Sequence, residues 1–268
     1  MLKDITLGQY MPGNTIVHRL DPRTKILLTT AYIAMIFLVG SPVWYVVPTL
    51  YVALCARLAG LSFKQLLKSI KPLRFLLLLT FVLNLFFSGG TTVWVRWGIV
   101  TITKEGVLLA VHFSMRLIFL VVGTSVLTLT TSPVALSDGI EILLKPLKVV
   151  HFPAHELAMM MTIALRFIPT LIEETDKIMK AQQARGADFE SGNLIARAKA
   201  MVPLLVPLFV SAFRRAGELA MAMEARCYHG GEGRTRLRVL RFTAEDAKAF
   251  LVSAAALAVV IAGRSLLM

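Results

Sequence analysis

The chain has 268 residues, 56% of them hydrophobic, with a mean hydropathy of +0.71 and a formal charge of +13. A soluble domain of this length keeps its apolar residues on one face and rarely averages so apolar, so the composition excludes an ordinary soluble fold and points to membrane-length runs. A pI near 10.1 would also suit a nucleic-acid partner, and the placement of the charges decides between the two.

Apolar runs fall at 26–40, 42–59, 72–88, 106–130 and 247–266. A further run, 201–213, is too short and proline-rich to span with ease. The expected fold is therefore an all-α polytopic membrane protein with about five transmembrane helices and a cytoplasmic domain of about three helices. With the N-terminus inside, 25 of the 29 basic residues lie on the inner side, against Arg96, Lys104 and Arg264 outside and Arg116 within the fourth run. So strong a bias orients the chain and makes the basic excess a matter of topology and anionic headgroups; a nucleic-acid partner is not expected. The resulting domains are a transmembrane region at 1–130, a cytoplasmic domain at 131–243 and a last transmembrane helix at 244–268.

Taken in chain order, the first apolar run follows about 25 polar residues without a small-x-small cleavage site, so it is expected to stay as a span. Asp21 is a good N-cap and Pro22 suits the first helical turn, which starts the first helix there. Gly40-Ser41-Pro42 forms an outer turn, and Arg57 to Arg74 an inner, amphipathic connection. Thr92 to Trp97 alternates before Gly98 and reads as a small outer hairpin with tryptophans at headgroup level. His112 and Arg116 lie one turn apart within the fourth span; with no acidic residue in other spans to pair with, Arg116 is expected to snorkel or to bond carbonyls.

The stretch 131–243 reads as three helices. The first starts at Ser132-Pro133 and is interrupted at Pro146; the second runs from Pro153-Ala154 to Gly186, and the third from Leu194 to His229, before Gly230-Gly231. The last two are long, roughly 50 Å at 1.5 Å per residue, and are expected to bend at their prolines and cross beneath the membrane. Both begin apolar, turn charged and end on an Ala-Arg pair, Ala184-Arg185-Gly186 and Ala225-Arg226-Cys227. One reading of an arginine at a helix C-terminus is that it only complements the macrodipole and caps carbonyls. Here both end unusually long helices, follow a small alanine and face the cytoplasm, which favours docking onto a partner carboxylate. The small residues Ala212, Ala216, Gly217, Ala220, Ala222 and Ala225 are expected to pack the third helix against the second.

Enzymatic signals are weak. His151-Phe152-Pro153-Ala154-His155-Glu156 lacks the spacing of a helical zinc motif, no phosphate loop or nucleophile elbow occurs, and Cys55 and Cys227 make neither a disulfide nor a metal framework. No catalytic residue, metal or cofactor is assigned. The rival readings are an integral-membrane metal-dependent enzyme using His151, His155 and Glu156, and a membrane scaffold. A self-contained secondary transporter would show paired repeats of broken helices, which are not evident.

Several motifs together resemble a known family. They are Tyr10-Met11-Pro12-Gly13-Asn14-Thr15, His18 to Lys25, Leu127 to Pro133, and above all the two Ala-Arg helix ends. The chain resembles the transmembrane coupling (T) component, the EcfT family, of energy-coupling factor transporters, which are modular ATP-driven importers of vitamins and metal ions. The resemblance implies a multi-pass protein of the bacterial cell membrane that has no enzymatic activity or cofactor of its own. Its partners would be two ABC-type ATPase subunits, one substrate-binding membrane (S) subunit and the lipid bilayer. It further implies that Ala184, Arg185, Gly186, Ala225 and Arg226 dock the ATPase subunits, and that the apolar halves at 159–170 and 201–213 meet the substrate-binding subunit. Met160, Ile163, Pro203, Leu204, Pro207 and Leu208 would make that contact. One departure stands out: Cys227 replaces the expected glycine, so the third helix is expected to run on to His229.

Overall fold

The structure, a computed structural model, describes residues 10–89, 92–97, 100–150, 152–189, 193–230 and 239–265. The chain divides into two compact units, one of Gly8–Ile140 with Leu240–Met268, the other of Glu141–Val239 with Met1–Leu7.

In the first unit the order is α1 (Ile16–Arg19), α2 (Pro22–Leu38), a tight turn at Pro42–Tyr45, α3 (Val46–Ala59), α4 (Phe63–Ile70) and α5 (Arg74–Phe87). A hairpin of β1 (Val93–Trp97) and β2 (Val100–Thr103) then leads into α6 (Lys104–Thr130), and α10 (Ala244–Ser265) closes the unit. The strands pair antiparallel, as the alternation at 92–97 anticipates; Gly98 lies outside the described residues.

α2 starts where Asp21 and Pro22 place it. The Asp21 carboxylate accepts the Arg23 amide at 2.9 Å and the Arg23 guanidinium at 2.8–3.0 Å. The Asp21 amide in turn donates to the Asp246 carboxylate at 2.9 Å, across 225 positions of sequence. Asp246 also accepts the Thr243 amide at 2.8 Å and its hydroxyl at 2.7 Å, which caps α10. Arg23 completes the knot, donating to the Leu240 carbonyl and lying 4.2 Å from the Phe242 ring centroid. Beside it Lys25, only 6% exposed, donates to the carbonyls of His18 and Thr130.

The core beyond this knot is aromatic and aliphatic. Tyr32, Met35, Ile36, Val39, Tyr45, Val52 and Val260 are buried together. α2 meets α6 where Gly123 presents no side chain: a Cβ there would lie 2.0 Å from the Tyr32 ring, whose hydroxyl donates to Phe119 O at 3.0 Å. Arg116 makes the carbonyl contact anticipated for it, donating to Val39 O at 3.4 Å.

In the middle section α7 (Pro133–Leu144) is stopped by a 3-10 turn at Lys145–Val150 that holds Pro146. α8 (Ala154–Ala184) and α9 (Leu194–Glu224) follow, each of 31 residues, or about 46 Å. Pro169 lies inside α8, and Pro203 and Pro207 inside α9. Among the described residues six helical segments are long and apolar enough to cross a membrane. They include α8 and part of α9, both with a mean hydropathy of 1.3, against 1.8–2.0 for Phe63–Phe87, α6 and α10. α2, which holds the first apolar run, has 17 residues and falls outside the six.

The end of α9 corrects the sequence expectation. The helix does not run on to His229, because Cys227 itself takes the left-handed conformation at φ 55°. Gly231 lies outside the described residues. A non-glycine residue in that conformation costs roughly 1 kcal/mol. Replacing Cys227 with glycine is therefore expected to stabilise this helix end by about 0.5–1 kcal/mol, seen as slower exchange of the Tyr228 amide proton. Asp246→Ala is expected to cost about 1–3 kcal/mol, because it leaves the buried amide of Asp21 without its acceptor and removes the cap that Asp246 gives the exposed Thr243. A thermal unfolding midpoint in detergent unchanged from the native chain would refute that assignment.

Candidate functional site

α8 and α9 are joined through Glu174. Its carboxylate accepts the Ser211 hydroxyl and, at 2.7 Å, the Arg215 guanidinium. Ser211 and Arg215 are one turn apart on α9, so a single carboxylate grips two successive turns of its neighbour.

From that contact each helix continues about ten residues to its arginine, and the two ends are built alike. In α8 the amide of Arg185 donates to Gln182 O, that of Gly186 to Gln183 O and that of Ala187 back to Gln182 O, at 2.9–3.0 Å. In α9 the amides of Arg226, Cys227 and Tyr228 donate to Met223 O, Glu224 O and Met223 O, at 2.9–3.1 Å. Both are Schellman closures, with the arginine at the C-cap and a left-handed residue next, Gly186 at φ 90° and Cys227 at φ 55°. The backbone reverses directly after each arginine, which leaves the side chain at the rim of the helix.

Ala184, Arg185, Gly186, Ala225 and Arg226 are all exposed. Among the described residues neither Arg185 nor Arg226 has an ion-pair partner. Their guanidinium groups present fork-shaped donor sets suited to a carboxylate.

The apolar halves divide unevenly. Met160 is 54% exposed and Pro203 is exposed; Ile163, Pro207 and Leu208 are half-buried, and Leu204 is buried at 9%. Within the 201–213 half, the stripe Val202, Val206, Phe209 and Phe213, which is not among the contacts named from the sequence, is 52–76% exposed. Its 4-3-4 spacing is the signal that would have found it. Of the small residues expected to pack α9 against α8, Ala212 is half-buried beside Ser211 but the others do not pack as expected. Ala216, Gly217, Ala220, Ala222 and Ala225 are exposed, and a Cβ on Gly217 would meet nothing within 4 Å. The polar grip of Glu174 on Ser211 and Arg215 joins the helices in their place.

Of the residues considered for metal, His155 Nδ1 lies 3.0 Å from the Glu141 carboxylate, and His151 lies outside the described residues. Among the described residues no three of His, Cys, Asp and Glu come together in a metal-binding group. Cys55 is half-buried and Cys227 exposed, both as free thiols.

Comparison with known proteins agrees with this architecture. The family model described as cobalt transport protein (CbiQ) matches residues 13–237. Proteins named energy-coupling factor transporter transmembrane protein EcfT are similar along almost their whole length. The one from Thermosediminibacter oceani is 57% identical over 94% of this chain and 95% of its own. Those from Acidaminococcus fermentans and Clostridium kluyveri are 58% and 54% identical, over 94% and 97% of this chain and 94% and 96% of their own. A family match over most of the chain and relatives more than half identical across it show that the chain belongs to the EcfT family of energy-coupling factor transporter transmembrane proteins.

Proposed function

We propose that this transporter component couples two ABC-type ATPase subunits on the cytoplasmic side to a substrate-binding membrane subunit, and so drives uptake of a vitamin or a metal ion. The observation that carries the reading is the pair of matching helix ends. Two long helices, tied together at Glu174, each present an exposed C-cap arginine that has no ion-pair partner among the described residues. Arg185 and Arg226 each enter an acidic groove of one ATPase subunit, and the neighbouring Ala184 and Ala225 leave room for the groove wall. ATP hydrolysis resides in those partners.

The apolar halves of α8 and α9 supply the other surface. Met160 and the stripe Val202, Val206, Phe209 and Phe213 leave a wide exposed apolar face, which suits a membrane-embedded partner. Ile163, Pro203, Pro207 and Leu208 border it, and buried Leu204 supports it from behind. Movement of the arginine ends with the ATPase subunits shifts this face, since the Glu174 grip makes the helices move as a pair. The orientation follows from the basic residues: the N-terminus and residues 131–243 lie in the cytoplasm.

Truncating one partner of a buried, hydrogen-bonded charge pair costs about 2–5 kcal/mol. Reversing both charges, Arg185→Glu with Arg226→Glu, is expected to abolish assembly with the ATPase subunits or coupled uptake while the protein still inserts. Undiminished complex yield and uptake in that double variant would rule out docking through these ends. In a Cys55→Ser background, Cys227 is expected to react with a membrane-impermeant maleimide only in inverted vesicles. Labelling in intact cells would reverse the orientation.

A further inference from the structure

The Asp21–Asp246 knot brings the N-termini of α2 and α10 together, so both helices run the same way from it. At about 26 Å and 33 Å long, they are comparable to the roughly 30 Å hydrocarbon core of a bilayer. Their far ends and the N-terminal half of α6 border an open cavity of about 510 Å³. Its walls are the run from Phe37 to Gly40, Ser41, His112 and two arginines, Arg116 and Arg264. No carboxylate is among its lining residues.

The polar groups here are short of acceptors. Arg116 Nη2 lies 2.9 Å from His112 Nε2. A guanidinium nitrogen only donates, so Nε2 accepts and the ring proton sits on Nδ1. His112 is 9% exposed; its Nδ1 and Arg116 Nε are both buried without a hydrogen-bond partner. Arg116 also donates to Val39 O, a long bond at 3.4 Å, and has the neutral Tyr45 hydroxyl beside it, while the Phe37 and Phe113 rings lie 5.5 and 5.3 Å from its guanidinium carbon. An uncompensated cation at this depth is costly unless an anion joins it. The His112 bond fixes Arg116 within the cavity that exposed Arg264 also lines.

We propose that this cavity binds a phosphate group, that of a phospholipid headgroup. Arg116 and Arg264 clamp its oxygens, and His112 holds Arg116 in position. Two guanidinium groups without a carboxylate leave the site net positive and offer fork-shaped donors suited to an anionic phosphate. Phe37, 57% exposed beside the arginines, offers the acyl chain a path along α2.

The test uses the full chain, purified in detergent and stripped of lipid, with fluorescent phosphatidylglycerol as probe and thermal unfolding as a second readout. Phosphatidylglycerol is expected to bind saturably and raise the unfolding midpoint, whereas a diacylglycerol without phosphate does neither. Arg264→Gln, at an exposed helix end where folding is safe, is expected to weaken binding about tenfold, and Arg116→Gln at least as much. Inorganic phosphate that gives the same arginine-dependent shift supports the anion site with free phosphate as its source; a shift only with phosphatidylglycerol identifies the lipid. Equal binding of diacylglycerol, or unchanged affinity in Arg264→Gln, overturns the proposal.

Discussion

The first unit depends on one hydrogen-bonded knot, in which the Asp246 carboxylate receives the Asp21 amide while Asp21 holds Arg23. Asp246 is 1% exposed and Asp21 5%, so neither carboxylate is satisfied by water, and each needs the donors it has. The constraint joins segments 225 residues apart and places the starts of α2 and α10 side by side. From there Tyr32 reaches across to the Phe119 carbonyl over Gly123, and at the far end the Trp44 ring packs onto Gly263, where a Cβ would lie 2.4 Å away. Glycine is required at both crossings because a ring occupies the space of the missing side chain.

The second unit follows a different logic. Its long helices are held by a partly exposed polar contact at Glu174, and much of their apolar surface stays uncovered. An uncovered apolar face of this size is covered at no cost by lipid tails where it lies in the bilayer, and outside it marks a surface for partners. The matching Schellman closures at Arg185 and Arg226 express the same division of roles, since they satisfy terminal carbonyls internally and leave the arginine forks without an ion-pair partner among the described residues. A free arginine at a precisely closed helix end suits docking, and family membership supplies partners for it to meet.

How much of this was legible in advance varied with the range of the interaction. The start of α2 at Asp21-Pro22 and the stop of α7 before Pro146 involve only neighbouring residues. Thr243 and Asp246 also have capping spacing and could have been read as such. The bond from Asp246 to Asp21 could not, since nothing local to either carboxylate names the other. The end of α9 failed for a subtler reason. Glycine preference is a matter of about 1 kcal/mol, so a closure worth more can place a cysteine in the left-handed conformation and Cys227 hides the turn.

By itself the sequence determined the helical membrane class, the start of α2, the paired Ala-Arg ends and, through its motifs, the family. These depend on composition and on residues within a few positions of one another. Only the tertiary structure decided that Asp246 anchors Asp21, that Leu204 turns inward while Val202, Val206, Phe209 and Phe213 face out, and that most of the small residues of α9 stay open. Each of these depends on which surfaces meet, and a one-dimensional pattern records a helix face without recording what covers it. For the same reason the opening motif at Asp21 now reads as half of a knot, and Arg116 as a cation held by His112 beside a cavity at the far end of the same helices.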